Sequence, residues 1–170
     1  YNNQVRATAF CSDYAASQQW EDALRQCDVA LDINPEATTT RFLRSQLLRE
    51  LDRNSESLEE AVRVLGADPF HEGALQLAGY LATVEGDAEG GRGYYRLYLD
   101  INPGNVTIRM RIAYEQAQAG DPVGAMEFIT VGLEVDPENA DLNEQFGNFA
   151  FTAASDAQTA FEMTTPGAEG

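Results

Sequence analysis

Apolar residues recur along this chain at the spacing of helix faces. The clearest runs are Leu43, Leu47, Leu48 and Leu51, followed by Leu58, Ala61, Val62 and Leu65. Intervals of three and four residues place such side chains on one face of an α-helix. No alternating apolar and polar pattern of useful length, which would indicate a β-strand, occurs in the sequence. The pattern therefore predicts an all-α protein.

Prolines interrupt the helical pattern at a constant interval of 34 residues, and each follows a leucine by four positions. The prolines are Pro35, Pro69, Pro103 and Pro137, and the leucines are Leu31, Leu65, Leu99 and Leu133. Each interval has room for two helices of about 13 residues and two tight turns. Proline ends the second helix of each interval, because it lacks an amide proton and disfavours helical geometry in the residue before it.

Two further positions keep small residues at the same interval. One falls midway along the first helix of each pair, and the other falls early in the second helix. Matched small residues let two antiparallel helices approach closely. The first set is Cys11, Ser45, Gly79, Ala113 and Gly147, and the second is Ala23, Ser57, Gly91, Ala125 and Thr159.

This register predicts one repeat domain over residues 1–163, followed by a disordered tail at 164–170. The domain would contain four full repeats and a partial fifth. The N-terminal residues lack both an initiator Met and the pattern of a signal peptide, which leaves a removed leader or a start inside a longer chain as alternatives. The predicted helices span 4–17, 20–33, 38–52, 55–67, 72–85, 88–101, 106–119, 122–135 and 140–152, with a weaker one at 155–163.

Several segments at this register resemble the tetratricopeptide repeat family. They are Trp20-Glu21-Asp22-Ala23-Leu24 with Ala30, Leu31 and Pro35; Gly120-Asp121 with Ala125 and Pro137; and Leu142 with Phe146-Gly147-Asn148. Arg44 and Tyr98 depart from the family pattern and indicate local repacking. The resemblance implies an α-solenoid of antiparallel helix pairs, in which the first helix of each pair lines a concave groove.

The same resemblance implies a partner-binding site on the first helices. Tyr80 and Tyr114 lie one repeat apart in the same column and would anchor a peptide, with amide side chains hydrogen-bonding beside them. The alternative is that some of the apolar members pack against a neighbouring helix. The candidate site comprises Phe42, Gln46, Arg49, Gln76, Tyr80, Met110, Arg111, Tyr114 and Asn148.

The charge balance restricts the partner. The chain has 28 acidic residues, 11 arginines and no lysine, for a net charge of −17. This argues against nucleic acid or an anionic lipid surface as the partner. Acidity informs on solubility more than on function, and it fits adaptation to salt or a lysine-poor genome as well as a basic partner. The sequence contains no run of 18 apolar residues, so no membrane-inserted helix is predicted.

Catalytic and metal-binding chemistry is not predicted. His71, the only histidine, is expected to be a solvated turn residue, and one histidine makes no catalytic triad. The glycines around Gly91 fall inside a helix, so they are read as packing positions and not as a phosphate loop. Cys11 and Cys27 are expected to be buried thiols without a bridge, because helix axes about 8–10 Å apart make a disulfide awkward. We expect no cofactor.

Two functions fit these features. The first is a protein-interaction scaffold, an adaptor or assembly factor that binds a peptide segment or partner subunit in its groove. The alternative is a structural subunit packed permanently in a larger complex or filament, such as an envelope, pilus or secretion assembly. A clamp for a C-terminal carboxylate is not expected, because the chain has no lysine. Cytoplasmic and cell-envelope locations are both open.

Overall fold

The computed structural model describes residues 2–164, and it describes side chains over residues 3–159. In that range the chain forms nine α-helices and no β-strand, as the apolar pattern predicts. The helices are α1 (Asn2–Ala16), α2 (Trp20–Ile33), α3 (Thr38–Glu50), α4 (Asn54–Ala67), α5 (Glu72–Val84), α6 (Ala88–Ile101), α7 (Val106–Gln118), α8 (Pro122–Val135) and α9 (Ala140–Thr164).

The helices group into two compact units, Tyr1–Ile101 and Asn102–Gly170. In the first unit α1 packs on α2, α3 on α4 and α5 on α6, and each pair also contacts the next. In the second unit α7 packs on α8, and α8 packs on α9. The apolar core of each unit therefore lies between consecutive helices, as in a helical repeat.

The two columns of small residues mark the closest helix approaches. Gly79 on α5 and Gly91 on α6 are both buried, and a Cβ added to Gly91 would lie 2.8 Å from the Gly79 carbonyl oxygen. One repeat earlier, the Ser57 hydroxyl donates a 2.6 Å hydrogen bond to the Ser45 carbonyl. The predicted register is confirmed at these positions.

The turns between paired helices place one residue in the left-handed backbone region. These residues are Gln18, Asp52, Gly86 and Gly120, each 34 positions after the last, with φ between 56° and 96°. The next position in the column is Ala154, and alanine is the strongest helix former. The predicted break between helices at 140–152 and 155–163 is therefore wrong, since α9 continues to Thr164. Residues 165–170 of the predicted tail lie outside the described residues.

A second prediction that the structure contradicts concerns the cysteines. Cys11 on α1 and Cys27 on α2 form a disulfide, with their Cα atoms 5.2 Å apart and both side chains fully buried. The average spacing of helix axes does not exclude a disulfide here, because Cys11 and Cys27 lie on the facing sides of the two helices. Ala23 is also fully buried in this core, which lets the helices come close.

His71 is not a solvated turn residue. It is the N-cap of α5, where its Nδ1 accepts a 3.1 Å hydrogen bond from the Ala74 amide. Its ring centroid lies 4.5 Å from that of Phe42. Asn105 and Asn139 occupy the same position in the next two repeats and cap α7 and α9 with their side-chain oxygens. The sole histidine thus has a structural role, because it satisfies an amide that the helix leaves unpaired.

Candidate partner-binding site

The predicted site residues are distributed over both units. In the first unit Phe42, Gln46 and Arg49 lie on α3, while Gln76 and Tyr80 lie on α5. In the second unit Met110, Arg111 and Tyr114 lie on α7, and Asn148 lies on α9. Exposure and contacts divide these residues into surface members and packing members.

The α5 helix has the best-defined surface stripe. Gln76, Tyr80 and Val84 follow one another at intervals of four residues, and all three are exposed, the tyrosine to 41% and the valine to 49%. The opposite side of α5 is buried in the core and includes Leu75, Leu77 and Leu81 among others. The stripe therefore joins an amide, an aromatic ring and an aliphatic side chain on one helix face.

Phe42 and Gln46 on α3 are half-buried. Phe42 packs against the core that contains Ala78 and Leu81, and a Cβ on Gly73 would come 2.5 Å from its ring. Arg49 is exposed at the end of α3 and forms an ion pair with Glu50. In the first unit the polar surface members are thus Arg49 and Gln76, with Tyr80 as the aromatic one.

A shallow groove of about 350 Å³ lies between α1 and the start of α3. The Thr8 and Thr40 hydroxyls form a 3.1 Å hydrogen bond inside it. Half of its lining residues are threonines and none is charged, so it offers hydroxyl groups, and Val5 is exposed at one edge. Thr8 belongs to the first helix of its repeat, and this groove continues the first-helix side of the unit.

In the second unit Tyr114 is the exposed aromatic residue among the predicted site residues. It is 42% exposed, and its ring contacts Phe149 edge to face with centroids 5.6 Å apart. Arg111 is exposed on the same helix, whereas Met110 is half-buried against the apolar core. Asn148 on α9 is exposed and makes a 3.4 Å hydrogen bond with Gln145. The ring contact holds Tyr114 in place and leaves part of its surface open.

A charged cluster that the sequence analysis missed lies within the first unit. Glu60 on α4 is buried and accepts from Arg41 at 2.8 Å and from Arg63 at 2.6 Å, with Arg44 at 3.4 Å. Arg44 also donates to Asp28 at 2.7 Å. The departure of Arg44 from the family pattern was the one signal in the sequence. The cluster links α2, α3 and α4, and its arginines are engaged in ion pairs within the fold.

Arg109 on α7 is a buried cation. Its guanidinium donates to the Pro103 carbonyl at 2.6 Å and to the Phe128 carbonyl at 3.1 Å, while its Nε has no hydrogen-bond partner. Burial lowers the pKa of Arg109 below its ordinary value, because a charge removed from water is disfavoured. Gly132 leaves the space for this side chain, since a Cβ there would lie 2.5 Å from the Arg109 Cδ.

The described residues contain no group of three or more His, Cys, Asp or Glu side chains placed to hold a metal ion. Within 2–164 no helix combines the length and the apolar character that crossing a membrane requires. What the first helices offer is therefore an exposed set of aromatic, amide and guanidinium groups.

No family model matches the sequence, and no curated protein matches it. Solved structures do match. The MamA protein is 10% identical over 94% of this chain and 88% of its own, with a TM-score of 0.77. YrrB, a TPR protein with an unusual peptide-binding site, is 18% identical over 92% of this chain and 80% of its own, with a TM-score of 0.72.

A third solved structure is a tetratricopeptide repeat protein from Parabacteroides merdae. It is 19% identical over 96% of this chain and 66% of its own, with a TM-score of 0.69. At these identities the likeness shows the fold. The predicted resemblance is confirmed at that level, together with the all-α helical-repeat class. The chain therefore shares the helical-repeat fold of these tetratricopeptide repeat proteins.

Proposed function

We propose that this protein is a protein-interaction scaffold that binds peptide segments of a partner on the exposed faces of its first helices. The main support for this proposal is the exposed stripe of Gln76, Tyr80 and Val84 on α5. Exposed tyrosine and valine side chains on one helix face do not help the helix to stay in water. A row of such side chains is instead typical of a surface that binds a peptide. An adaptor or assembly factor would use it in this way.

The chemistry of the stripe sets the kind of peptide. Tyr80 offers a flat apolar surface with a polar end, which is the side-chain type most enriched at binding hot spots. Gln76 offers both a donor and an acceptor for a peptide backbone. A segment with an apolar side chain on Tyr80 and its main chain near Gln76 therefore fits, and the YrrB structure is a precedent for peptide binding in this fold.

The second unit would contribute its own contact through Tyr114. The edge-to-face contact with Phe149 fixes one side of the ring, so binding there loses little conformational freedom. Arg111, exposed on the same helix, gives this face a cationic group in an otherwise acidic chain.

We further propose that the protein is not an enzyme. The only histidine of the chain holds the N-terminus of α5 through its Nδ1, which uses that nitrogen structurally. The arginines near Glu60 are likewise committed to ion pairs. The partner would be a protein or peptide and not nucleic acid, because the net charge of −17 repels a phosphate backbone.

The test is selection of binders from a displayed library of random peptides of about 15 residues, with the 170-residue chain immobilised. Titration of a selected peptide would then compare Tyr80→Ala and Tyr114→Ala with two controls. Val62→Ala on α4 and Val131→Ala on α8 remove similarly exposed apolar groups from second helices. We expect at least one tyrosine variant to weaken binding by about tenfold or more, and neither valine variant to change it.

Two results would contradict the proposal. One is a library that yields no binder at micromolar concentration. The other is a set of binders that lose affinity in Val62→Ala or Val131→Ala and not in the tyrosine variants, which would put the site on the second helices. A chain that stays insoluble without a partner would instead favour the alternative of a permanent structural subunit.

A further inference from the structure

One face of α9 is open although its register position is buried in the other repeats. Gly147 continues the column of Cys11, Ser45, Gly79 and Ala113, all of which are fully or almost fully buried. In those repeats the second helix of the pair covers the position. At Gly147, in contrast, an added Cβ would meet no described atom within 4 Å.

Phe151, one turn further along α9, belongs to the same open face. Its counterparts Ala15 and Ala117 are packed against the cores of their own repeats. A third counterpart, Thr83, lies against Gly91, where an added Cβ would come 2.3 Å from its hydroxyl oxygen, whereas the fourth, Arg49, is exposed at the end of α3. Phe151 itself is 78% exposed, more than any other large apolar side chain that the structure describes.

The missing turn explains the open face. Because Ala154 keeps the helix going, the residues described after it, up to Thr164, do not fold back over α9 as the chain does after the other first helices. Within residues 102–159, α9 packs on α8 and α7, which lie on its other side. The face around Gly147 and Phe151 is thus left uncovered by the described residues.

Charge points to the nature of the occupant. After Arg111 the sequence contains no arginine, lysine or histidine, and residues 112–170 include 11 acidic residues. On α9 itself Asp141, Glu144 and Asp156 are all exposed. A second copy of this chain would bring like charges to the surface, which opposes self-association. A basic segment would be attracted to it.

We propose that the Gly147–Phe151 face of α9 binds an amphipathic helix from a partner protein, with arginine or lysine residues flanking its apolar side. The helix takes the place that a second helix occupies beside the first helix in the other repeats. Gly147 lets the two backbones approach closely, and Phe151 enters the apolar stripe of the incoming helix at the i, i+3 and i+4 spacing that helix-in-groove recognition uses.

The experiment uses three synthetic peptides of about 20 residues and the whole chain. The first is a leucine- and arginine-containing amphipathic helix, the second replaces its arginines with glutamate, and the third is a scramble of the first that has no apolar face. We expect the first peptide to bind, and the other two to bind about tenfold more weakly or not at all, because apolar face and basic charge are both needed. Calorimetric titration measures the affinities.

Matched variants locate the site. Phe151→Ala and Gly147→Leu should each weaken the basic amphipathic peptide by about tenfold or more, the first by removing the anchor and the second by filling the approach. Phe70→Ala is the control, because Phe70 is 67% exposed in a turn of the first unit. Gly147→Ala, which adds only a methyl group in open space, checks that the helix tolerates substitution. Circular dichroism would confirm that each variant is folded.

Hydrogen exchange supplies the second readout. The bound peptide should slow exchange in α9 and leave α1 and α2 unchanged. Equal binding of the scrambled or acidic peptide would overturn the proposal, as would no binding of any peptide. Loss of binding in Tyr80→Ala instead of Phe151→Ala would move the basic helix to the α5 face. Dimers that Phe151→Ala disperses would make the occupant a second copy.

Discussion

The two units contain equivalent arginines, Arg41 and Arg109, whose charged surroundings differ. In the first unit Arg41 donates to the Pro35 carbonyl and also pairs with the buried carboxylate of Glu60. Two repeats later, in the second unit, Arg109 donates in the same way to the Pro103 carbonyl. The position of Glu60 is occupied there by Phe128, whose backbone carbonyl accepts the other hydrogen bond.

This difference separates two roles of one side chain. The bond to the proline carbonyl belongs to a turn that follows each of the four prolines. Asn143 makes it after Pro137 with a neutral amide at 3.0 Å, and after Pro69 the position is held by Leu75, which has no side-chain donor. The positive charge is therefore not needed for the turn. In the first unit the charge has a partner, while in the second it is buried among carbonyl groups and apolar side chains. Nine of the 11 arginines lie in residues 1–101, so the second unit has few cations to pair with its acids.

The largest predicted difference between the units is in stability and comes from the Cys11–Cys27 disulfide of the first unit. Reduction of the Cys11–Cys27 disulfide should lower the free energy of unfolding of the first unit by about 3 kcal/mol, because it opens a loop of roughly 15 residues. The second unit should be unaffected. Trp20, the only tryptophan, packs against the core that contains the disulfide, so its fluorescence reports on this repeat. Urea unfolding followed by Trp20 fluorescence, with and without reductant, measures the effect.

Segment-resolved hydrogen exchange provides the control for the disulfide experiment. Exchange in α1 and α2 should become faster on reduction, while exchange in α8 stays the same. A uniform change across both units would show that the chain unfolds as one body and would break the comparison at this point. An unchanged midpoint would mean that the disulfide contributes nothing to the first repeat.

The next largest effect concerns the charged cluster. Glu60→Gln should destabilise the first unit by about 2 kcal/mol, because it removes the carboxylate that faces Arg41, Arg44 and Arg63. The figure is at the low end for a buried pair, since Arg63 is largely exposed to water. Glu59→Gln is the matched control, because Glu59 is 69% exposed and lies 4.0 Å from Arg63. Equal stability losses in the two variants, measured by urea unfolding, would show that burial of Glu60 adds nothing.

The two units also show what sequence reasoning can reach. The 34-residue period fixes which residues meet at the helix crossings, because only small side chains fit there, and Gly79 and Gly91 were found in that way. The period also contains the left-handed turn column, and Ala154 in that column could have foretold that α9 continues. Helix propensity alone does not decide the matter, because Gln18, also a good helix former, takes the left-handed conformation in the same column.

Other features depend on geometry that the period does not contain. Whether Cys11 and Cys27 bridge is decided by a Cα separation that differs by a few ångströms among helix pairs. Whether Arg41 reaches Glu60 depends on long, flexible side chains whose partners lie on other helices. The predicted binding residues are a similar case, because the register gives their helix faces and the neighbours decide exposure. Thus Phe42 packs against the core, whereas Gln76 faces solvent.

The smallest predicted effect tests the comparison at its centre. Phe128→Glu would place a carboxylate in the second unit where Glu60 lies in the first. Both Phe128→Glu and Phe128→Gln lose the packing of the aromatic ring, so each should be less stable than the parent. Their difference isolates the charge. We expect Phe128→Glu to be more stable than Phe128→Gln by about 1 kcal/mol at neutral pH, because the carboxylate would compensate the buried guanidinium of Arg109.

The pH dependence gives this prediction its sign. A carboxylate paired with Arg109 would have a lowered pKa in the folded state, so its stabilisation is present above the unfolded value of about 4.3 and is lost as the pH falls through the folded value. The advantage over Phe128→Gln should therefore disappear in acid. Gln26→Glu is the control at the same position of the first repeat, where Ala7 stands in place of the arginine and no gain is expected. If Phe128→Glu is the less stable variant at neutral pH, the repulsion of 11 acidic residues in the second unit outweighs the local pair, and net charge, not the partner of one arginine, is what distinguishes the units.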